Sequence, residues 1–257
     1  MRPLILVTND DGITARGIRA LVEVAAEFGD VIVVAPDSPQ SGQGHAITLE
    51  NPLRLHSTSI FDDLNIPSYE CTGTPVDCVK LAKNVISAQQ RFDLCLSGIN
   101  HGSNASINII YSGTMSAAME AAVEGINSVG FSLMSYRFDA DFAAAKHYVR
   151  QIVASVLEKG IPNTRLLNVN IPNRPLEELK GIRICRQAKG FWTEDFLQGK
   201  DPAGRPYFWL TGKFICQDEG EDTDIWALDN GYVSVVPAMY DLTAYPALRP
   251  LAEQFGG

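Results

Sequence analysis

The sequence predicts an α/β fold, with a mostly parallel sheet covered by helices on both faces and a β-rich C-terminal part with projecting hairpins. Three observations carry this prediction. Leu4-Ile5-Leu6-Val7 and Val31-Ile32-Val33-Val34-Ala35 are continuous apolar runs, as expected of strands buried on both faces. Between them, residues 16–28 place Ile18, Leu21, Val22, Ala25 and Phe28 at helical spacing. After about residue 180 that periodicity fades, and aromatic residues, alternation and frequent glycines take over.

The elements follow in order. Residues 4–8 form the first strand and 16–28 the first helix, which Gly29-Asp30 breaks ahead of the strand at 31–35. This β-α-β opening is the unit of a parallel sheet. Residues 36–46 are a polar loop and 47–56 an extended stretch. Residues 75–88 form a helix, with Pro75 suited to its first turn. Asp93 to Ser97 is a third core strand, followed by a helix at 113–124 and a strand at 128–134. A long helix covers 139–159, and Leu166 to Ile171 is a further strand. Residues 1–180 thus read as a Rossmann-like three-layer α/β/α catalytic core. Residues 181–257 read as hairpin-rich, with strand character over 182–216 and 226–236 and a short closing helix near 246–255.

Composition narrows the function. The chain has 257 residues, 46% hydrophobic and 20% charged, which is ordinary globular composition. Its formal net charge is −9 and it has no long basic run, so duplex nucleic acid is not expected as a partner. No stretch approaches the roughly 18 apolar residues of a membrane span, and the N-terminal apolar run is too short for a signal peptide. The five cysteines are odd in number and widely spaced, so they read as reduced thiols of a cytoplasmic protein. Neither Cys-x-x-Cys nor His-x-x-x-His occurs, which disfavours zinc and leaves a hard ion held by oxygen.

The chemistry is expected at the carboxyl ends of the strands, where open α/β sheets bind ligands. Three predicted strands end in polar loops. These are Asn9-Asp10-Asp11-Gly12, Ser38 to Gly44, and Ser97 to Asn104. Asp10 and Asp11 repel each other and resist burial. Either they occupy a wet turn that caps the next helix, or a cation sits between them. Two carboxylates with hydroxyl or amide oxygens from neighbouring loops suit Mg²⁺ or Mn²⁺. Gly42-Gln43-Gly44 lacks the third glycine of a dinucleotide fingerprint, because Ile47 stands there. No Walker sequence occurs. Downstream, Ser112-Gly113-Thr114 opens an Ala-rich helix, whose free N–H groups suit a phosphate as well as simple capping. A cation, a phosphate site and a water together are the means of phosphoester hydrolysis.

The ordered stretches "TNDDG" at 8–12, "VVAPDSPQSG" at 33–42, "GTPVDCV" at 73–79, "SGIN" at 97–100, "YSGTMSAAME" at 111–120 and "GYVSVVPAMYDLTAY" at 231–245 resemble the SurE family of survival-protein-E nucleotidases. The resemblance spans nearly the whole chain. It implies hydrolysis of nucleoside monophosphates to nucleoside and phosphate (a 5′-nucleotidase), with side activity on 3′-nucleotides and polyphosphate. It implies one divalent metal ion per subunit, held by Asp10, Asp11, Ser41 and Asn100. It also implies phosphate contacts from Asn104, Ser112, Gly113 and Thr114. The chain departs from the family pattern at several positions. Ser106 stands where a glycine is expected, Ile107-Asn108 replaces a more acidic pair, and Asp222-Thr223-Asp224 replaces Gly-Thr-Asp.

On this reading Asp10 or Asp11 takes a proton from the attacking water, and the Ser112 and Thr114 hydroxyls donate to phosphate oxygens. A covalent aspartyl-phosphate is the alternative use of an acid there. A hydrolase of another phosphomonoester and a non-catalytic nucleotide-binding protein are the rival functions. Phe191, Trp192, Phe196, Tyr207, Phe208 and Trp209 lie at hairpin spacing, and bare apolar patches of that size are rare. The family also exchanges such an arm between subunits, so a homodimer or a dimer of dimers is expected.

Overall fold

The structure is a computed structural model that describes residues 2–256. Its core is a nine-stranded sheet. The strands are β1 (Leu4–Thr8), β2 (Asp30–Pro36), β3 (Leu55–Thr58), β4 (Ser68–Cys71), β5 (Leu94–His101), β6 (Asn127–Leu133), β7 (Leu166–Ile171), β8 (Ile182–Ile184) and, after the hairpin described below, β11 (Val233–Ala238). Their order across the sheet is β3-β4-β2-β1-β5-β6-β7-β11-β8. Strands β4, β2, β1, β5, β6 and β7 run parallel, while β3 and β11 are antiparallel to β4 and β7.

Alternation along β1 explains the layers. Ile5 and Val7 pack into the core beneath α1 (Arg16–Phe28) and α4 (Ala143–Lys159). Leu6, between them, faces the other way, toward α2 (Pro75–Leu81) and α3 (Gly113–Val123), where Cys78, Val79, Ala117 and Ala121 are buried. Successive side chains of a strand point to opposite faces, so a two-sided core requires an unbroken apolar run.

The connection from β1 leads to β2 on one side, and the chain later returns to place β5 on the other. The strand order therefore reverses at β1, and the crevice beyond its carboxyl end is the expected ligand position.

Several elements differ from the sequence-based expectation. Within 47–56 only residues from Leu55 onward join a strand. The helix expected at 75–88 keeps α geometry to Leu81 and continues as one π turn over Ala82–Ile86. The fourth helix starts at Ala143, where the Asp141 carboxylate accepts the Ala143 N–H at 2.8 Å. Strand β5 runs on to His101 through an irregularity between Ser97 and Asn100.

Past residue 180 the chain does two things. Strands β8 and β11 complete the nine-stranded sheet. Between them, β9 (Gly190–Lys200) and β10 (Pro206–Cys216) form a long antiparallel hairpin outside it. Phe196, Leu197, Phe208, Trp209 and Leu210 are exposed on this hairpin. The helix α5 (Asp224–Asp229) occupies part of the stretch read as strand, and α6 (Tyr245–Phe255) closes the chain with no buried residue.

Candidate active site

The turn after β1 is fixed from three sides. Asn9 Nδ2 donates to the Gly12 carbonyl at 2.8 Å, and Gly12 turns the chain at φ +92°. The Ile13 N–H donates to the Pro36 carbonyl at 2.9 Å, and the Gln40 N–H donates to the Asp10 carbonyl at 2.8 Å. These bonds hold Asp10 and Asp11 at the strand end, with Asp10 only 5% exposed and Asp11 half-buried.

Helix α3 approaches with its N-terminus against Asp10. A Cβ on Gly113 would stand 2.7 Å from the Asp10 Cβ and 2.9 Å from its Oδ2. Only glycine lets the first turn of α3 close on the carboxylate. The Thr114 hydroxyl donates to Asp10 Oδ1. Across the crevice, the His101 N–H at the end of β5 donates to Asp11 Oδ2 at 3.2 Å.

The electrostatics follow from burial. Desolvation pushes Asp10 up to about 6, with the Thr114 hydroxyl opposing the rise and the Asp11 charge adding to it. Burial also raises Asp11, against the His101 N–H. Among the described residues no Lys or Arg is paired with either acid. Thr8 Oγ1, Asn9 Oδ1, Ser97 Oγ and His101 Nδ1 are buried at the same two strand ends without a hydrogen-bond partner. Among the described residues no group of three or more His, Cys, Asp or Glu is placed to hold a metal ion, so a cation at this turn would draw on hydroxyl and amide oxygens besides the two acids. A buried and a half-buried carboxylate without a Lys or Arg partner, beside unpaired oxygens, suit a hard divalent ion.

The remaining expected residues divide. Ser41 lies in an exposed loop, one residue past Gln40, whose N–H holds Asp10. That loop is also tied at its far end, where the Gly44 N–H donates to the Tyr111 carbonyl at 3.3 Å. Asn100 is half-buried on the irregular part of β5, and its Nδ2 donates to the Gly102 carbonyl at 2.9 Å. Ser112 caps α3, with its Oγ accepting the Met115 N–H at 3.0 Å.

The Thr114 hydroxyl, expected from the sequence to donate to phosphate, is fully buried and donates to Asp10 Oδ1 in this structure.

Asn104 is locked in a buried amide network. Its N–H donates to Asn170 Oδ1 at 2.8 Å, its Nδ2 to Ser132 Oγ at 2.8 Å, and its carbonyl accepts Asn168 Nδ2 at 2.8 Å. The sequence carried a signal of this: two asparagines alternate inside the otherwise apolar "LLNVNI" of β7. Buried amides in a core strand must be bonded to something.

A second group also escaped the sequence reading. Glu120 of α3, only 4% exposed, pairs with His45 Nε2 at 2.9 Å and with Lys80 Nζ. The His45 bond leads in holding its carboxyl below the usual glutamate range. His45 thereby ties the Ser41 loop to α3, and Lys80 adds α2 to the same joint.

With this geometry in place, the relatives are informative. The family model for survival protein SurE matches residues 5–194. The 5′-nucleotidase SurE of Flavobacterium psychrophilum is 58% identical over 250 residues, covering 97% of this chain and 96% of that protein. The 5′-nucleotidase SurE of Vibrio cholerae is 42% identical, with 96% and 95% covered. The crystal structure of the SurE protein from Aquifex aeolicus superposes with a TM-score of 0.84 at 41% identity, covering 98% of this chain and all of that one. With a family match over most of its length and relatives of this identity, the chain belongs to the SurE family.

Proposed function

We propose that the chain is a divalent-metal-dependent phosphomonoesterase that hydrolyses nucleoside monophosphates to nucleoside and phosphate. The observation that carries this reading is the pair of buried Asp10 and half-buried Asp11, with no Lys or Arg paired to either among the described residues and with Asp10 against the N-terminus of α3. The names of the relatives, 5′-nucleotidase SurE, support the substrate class.

Asp10 and Asp11 would hold one Mg²⁺ or Mn²⁺ per subunit, with Ser41 and Asn100 supplying further oxygens. When bound, the ion neutralises phosphate charge and makes a water acidic enough to attack. The chain's own residues do the rest. Thr114 fixes the Asp10 carboxylate by its hydroxyl, and His101 fixes Asp11 by its N–H. Asp11 is the more exposed of the two, and its Oδ1 carries no protein hydrogen bond among the described residues, so it accepts the water's proton. The Gly113 N–H and the Ser112 hydroxyl donate to the phosphate at the helix N-terminus, where the partial positive charge favours an anion. Asn104 is held by its buried amide network ahead of the loop that leads to α3.

The test is phosphate release from a panel of nucleoside monophosphates with Mg²⁺, with Mn²⁺ and with excess chelator. Chelation abolishes turnover and added metal restores it. Asp10→Asn and Asp11→Asn each fold and lose most of their metal affinity and turnover. Full activity in excess chelator would sink the proposal.

A further inference from the structure

Three side chains converge on one structural partner. Ser106 adopts φ +54°, a conformation that glycine tolerates and other residues rarely adopt. Its hydroxyl donates to the Ala188 carbonyl at 2.8 Å and accepts the Gly190 N–H at 3.1 Å. A glycine makes neither bond. Asn108 accepts the indole N–H of Trp192 on its Oδ1 at 2.8 Å. Asp222 accepts Arg186 Nε at 2.9 Å. Residues 186–192 are the root of the β9–β10 hairpin, and residues 104–112 are the loop between Asn104 and the N-terminus of α3. Three side chains therefore bond the hairpin root, and two of them reach it from the loop at 104–112.

The joint is organised around a buried acid. Asp224 is fully buried and accepts the Ser106 N–H at 2.7 Å on one carboxylate oxygen. On the other it accepts the Ala188 N–H at 2.9 Å and the Ile225 N–H at 2.8 Å. One carboxylate thus bonds the loop at 104–112 and the hairpin root at the same time. Ser106 closes the circuit by bonding the root directly.

We propose that Ser106 is a positioning residue that latches the β9–β10 hairpin to the loop at 104–112, so that the seating of the hairpin sets the placement of Asn104 and the first turn of α3. This rests on the nucleotidase reading for its catalytic consequence. The latch itself does not. It trades backbone strain at a positive φ for two bonds across the joint, and it makes the hairpin part of the catalytic apparatus without touching substrate.

The test is Ser106→Gly in the full-length protein, with Ser106→Ala as companion. Glycine removes both hydroxyl bonds and relieves the backbone, so the melting temperature is little changed. Alanine removes the bonds and keeps the strain. Both variants lower kcat for a nucleoside monophosphate about tenfold, the scale of two lost hydrogen bonds, with KM and metal affinity near wild type. Amide exchange speeds up together at 104–110 and 188–192. The exchange readout needs no turnover. If neither the parent nor the variants release phosphate, the nucleotidase reading fails while the exchange still decides the latch. Exchange that rises in one segment alone, or kcat unchanged in Ser106→Gly, overturns the proposal. A fall in melting temperature with unchanged kcat per folded molecule assigns Ser106 to stability only and overturns it as well.

Discussion

Thr114→Val keeps the shape of a side chain and removes one hydroxyl, the donor that steadies the buried Asp10 carboxylate. Burial has already pushed Asp10 up to about 6, with this bond opposing the rise. A hydrogen bond to a charged group contributes roughly 1.5–3 kcal/mol, which is about one to two decades in an acid constant. In the variant Asp10 therefore titrates higher than in the parent. A cation binding at neutral pH must then displace more of a proton, so metal affinity falls there and recovers as pH rises. Calorimetric titration of Mn²⁺ into parent and variant from neutral pH upward reads the effect directly. The metal-free protein supplies an independent measure. The folded pKa of Asp10 lies above its ordinary value of 3.8. The associated stability is therefore complete below about pH 4 and lost as pH rises through about 6, a change of about 3 kcal/mol. In Thr114→Val that loss extends to higher pH. Metal affinity in the variant that matches the parent at every pH would refute the reasoning, and would return the hydroxyl to the substrate.

Glu120 has the opposite sign. Its pairing with His45 and Lys80 holds its pKa low, so its contribution is present above the ordinary glutamate value and lost as pH falls through the folded one. Glu120→Gln should cost about 1–3 kcal/mol at neutral pH, shrinking in acid, as read by denaturant unfolding at several pH values. The exposed apolar hairpin predicts a homodimer or a dimer of dimers, so light scattering at micromolar concentration should give a multiple of the chain mass. Phe208→Ser with Trp209→Ser should shift that mass toward the monomer.

What the sequence made legible depends on distance along the chain. Strand β1, helix α1 and strand β7 match their expected limits because apolar periodicity is local, and it is set by residues within a turn or two. Helix α5 was missed because six residues, "DIWALD", are too few to show a period among neighbouring aromatics. That β11 lies between β7 and β8 depends on pairing across about fifty residues to β8 and more than sixty to β7, and no local pattern carries it. The site divides in the same way. Two adjacent acids at a strand end and a Ser-Gly-Thr helix opening are local patterns, and the structure brings Asp10, Gly113 and Thr114 into contact. Which group the Thr114 hydroxyl serves was not legible, because its partner stands 104 positions away. Ser106 shows the same limit. Its place two residues past Asn104 was visible in the sequence, but its partners at Ala188 and Gly190 were not.

The late arrival of β11 has a consequence for synthesis. A chain emerging from the ribosome completes β1 to β7 by residue 171, yet β7 has no outer neighbour until residues 233–238 are available. Until then the nascent protein presents the open edge of a long parallel sheet, the kind of surface on which chains pair with one another. Strand β8, although made earlier, has nothing to join, because among the described residues its one neighbour in the sheet is β11. The last quarter of the chain thus seals the core, and any truncation ahead of Val233 leaves β7 bare.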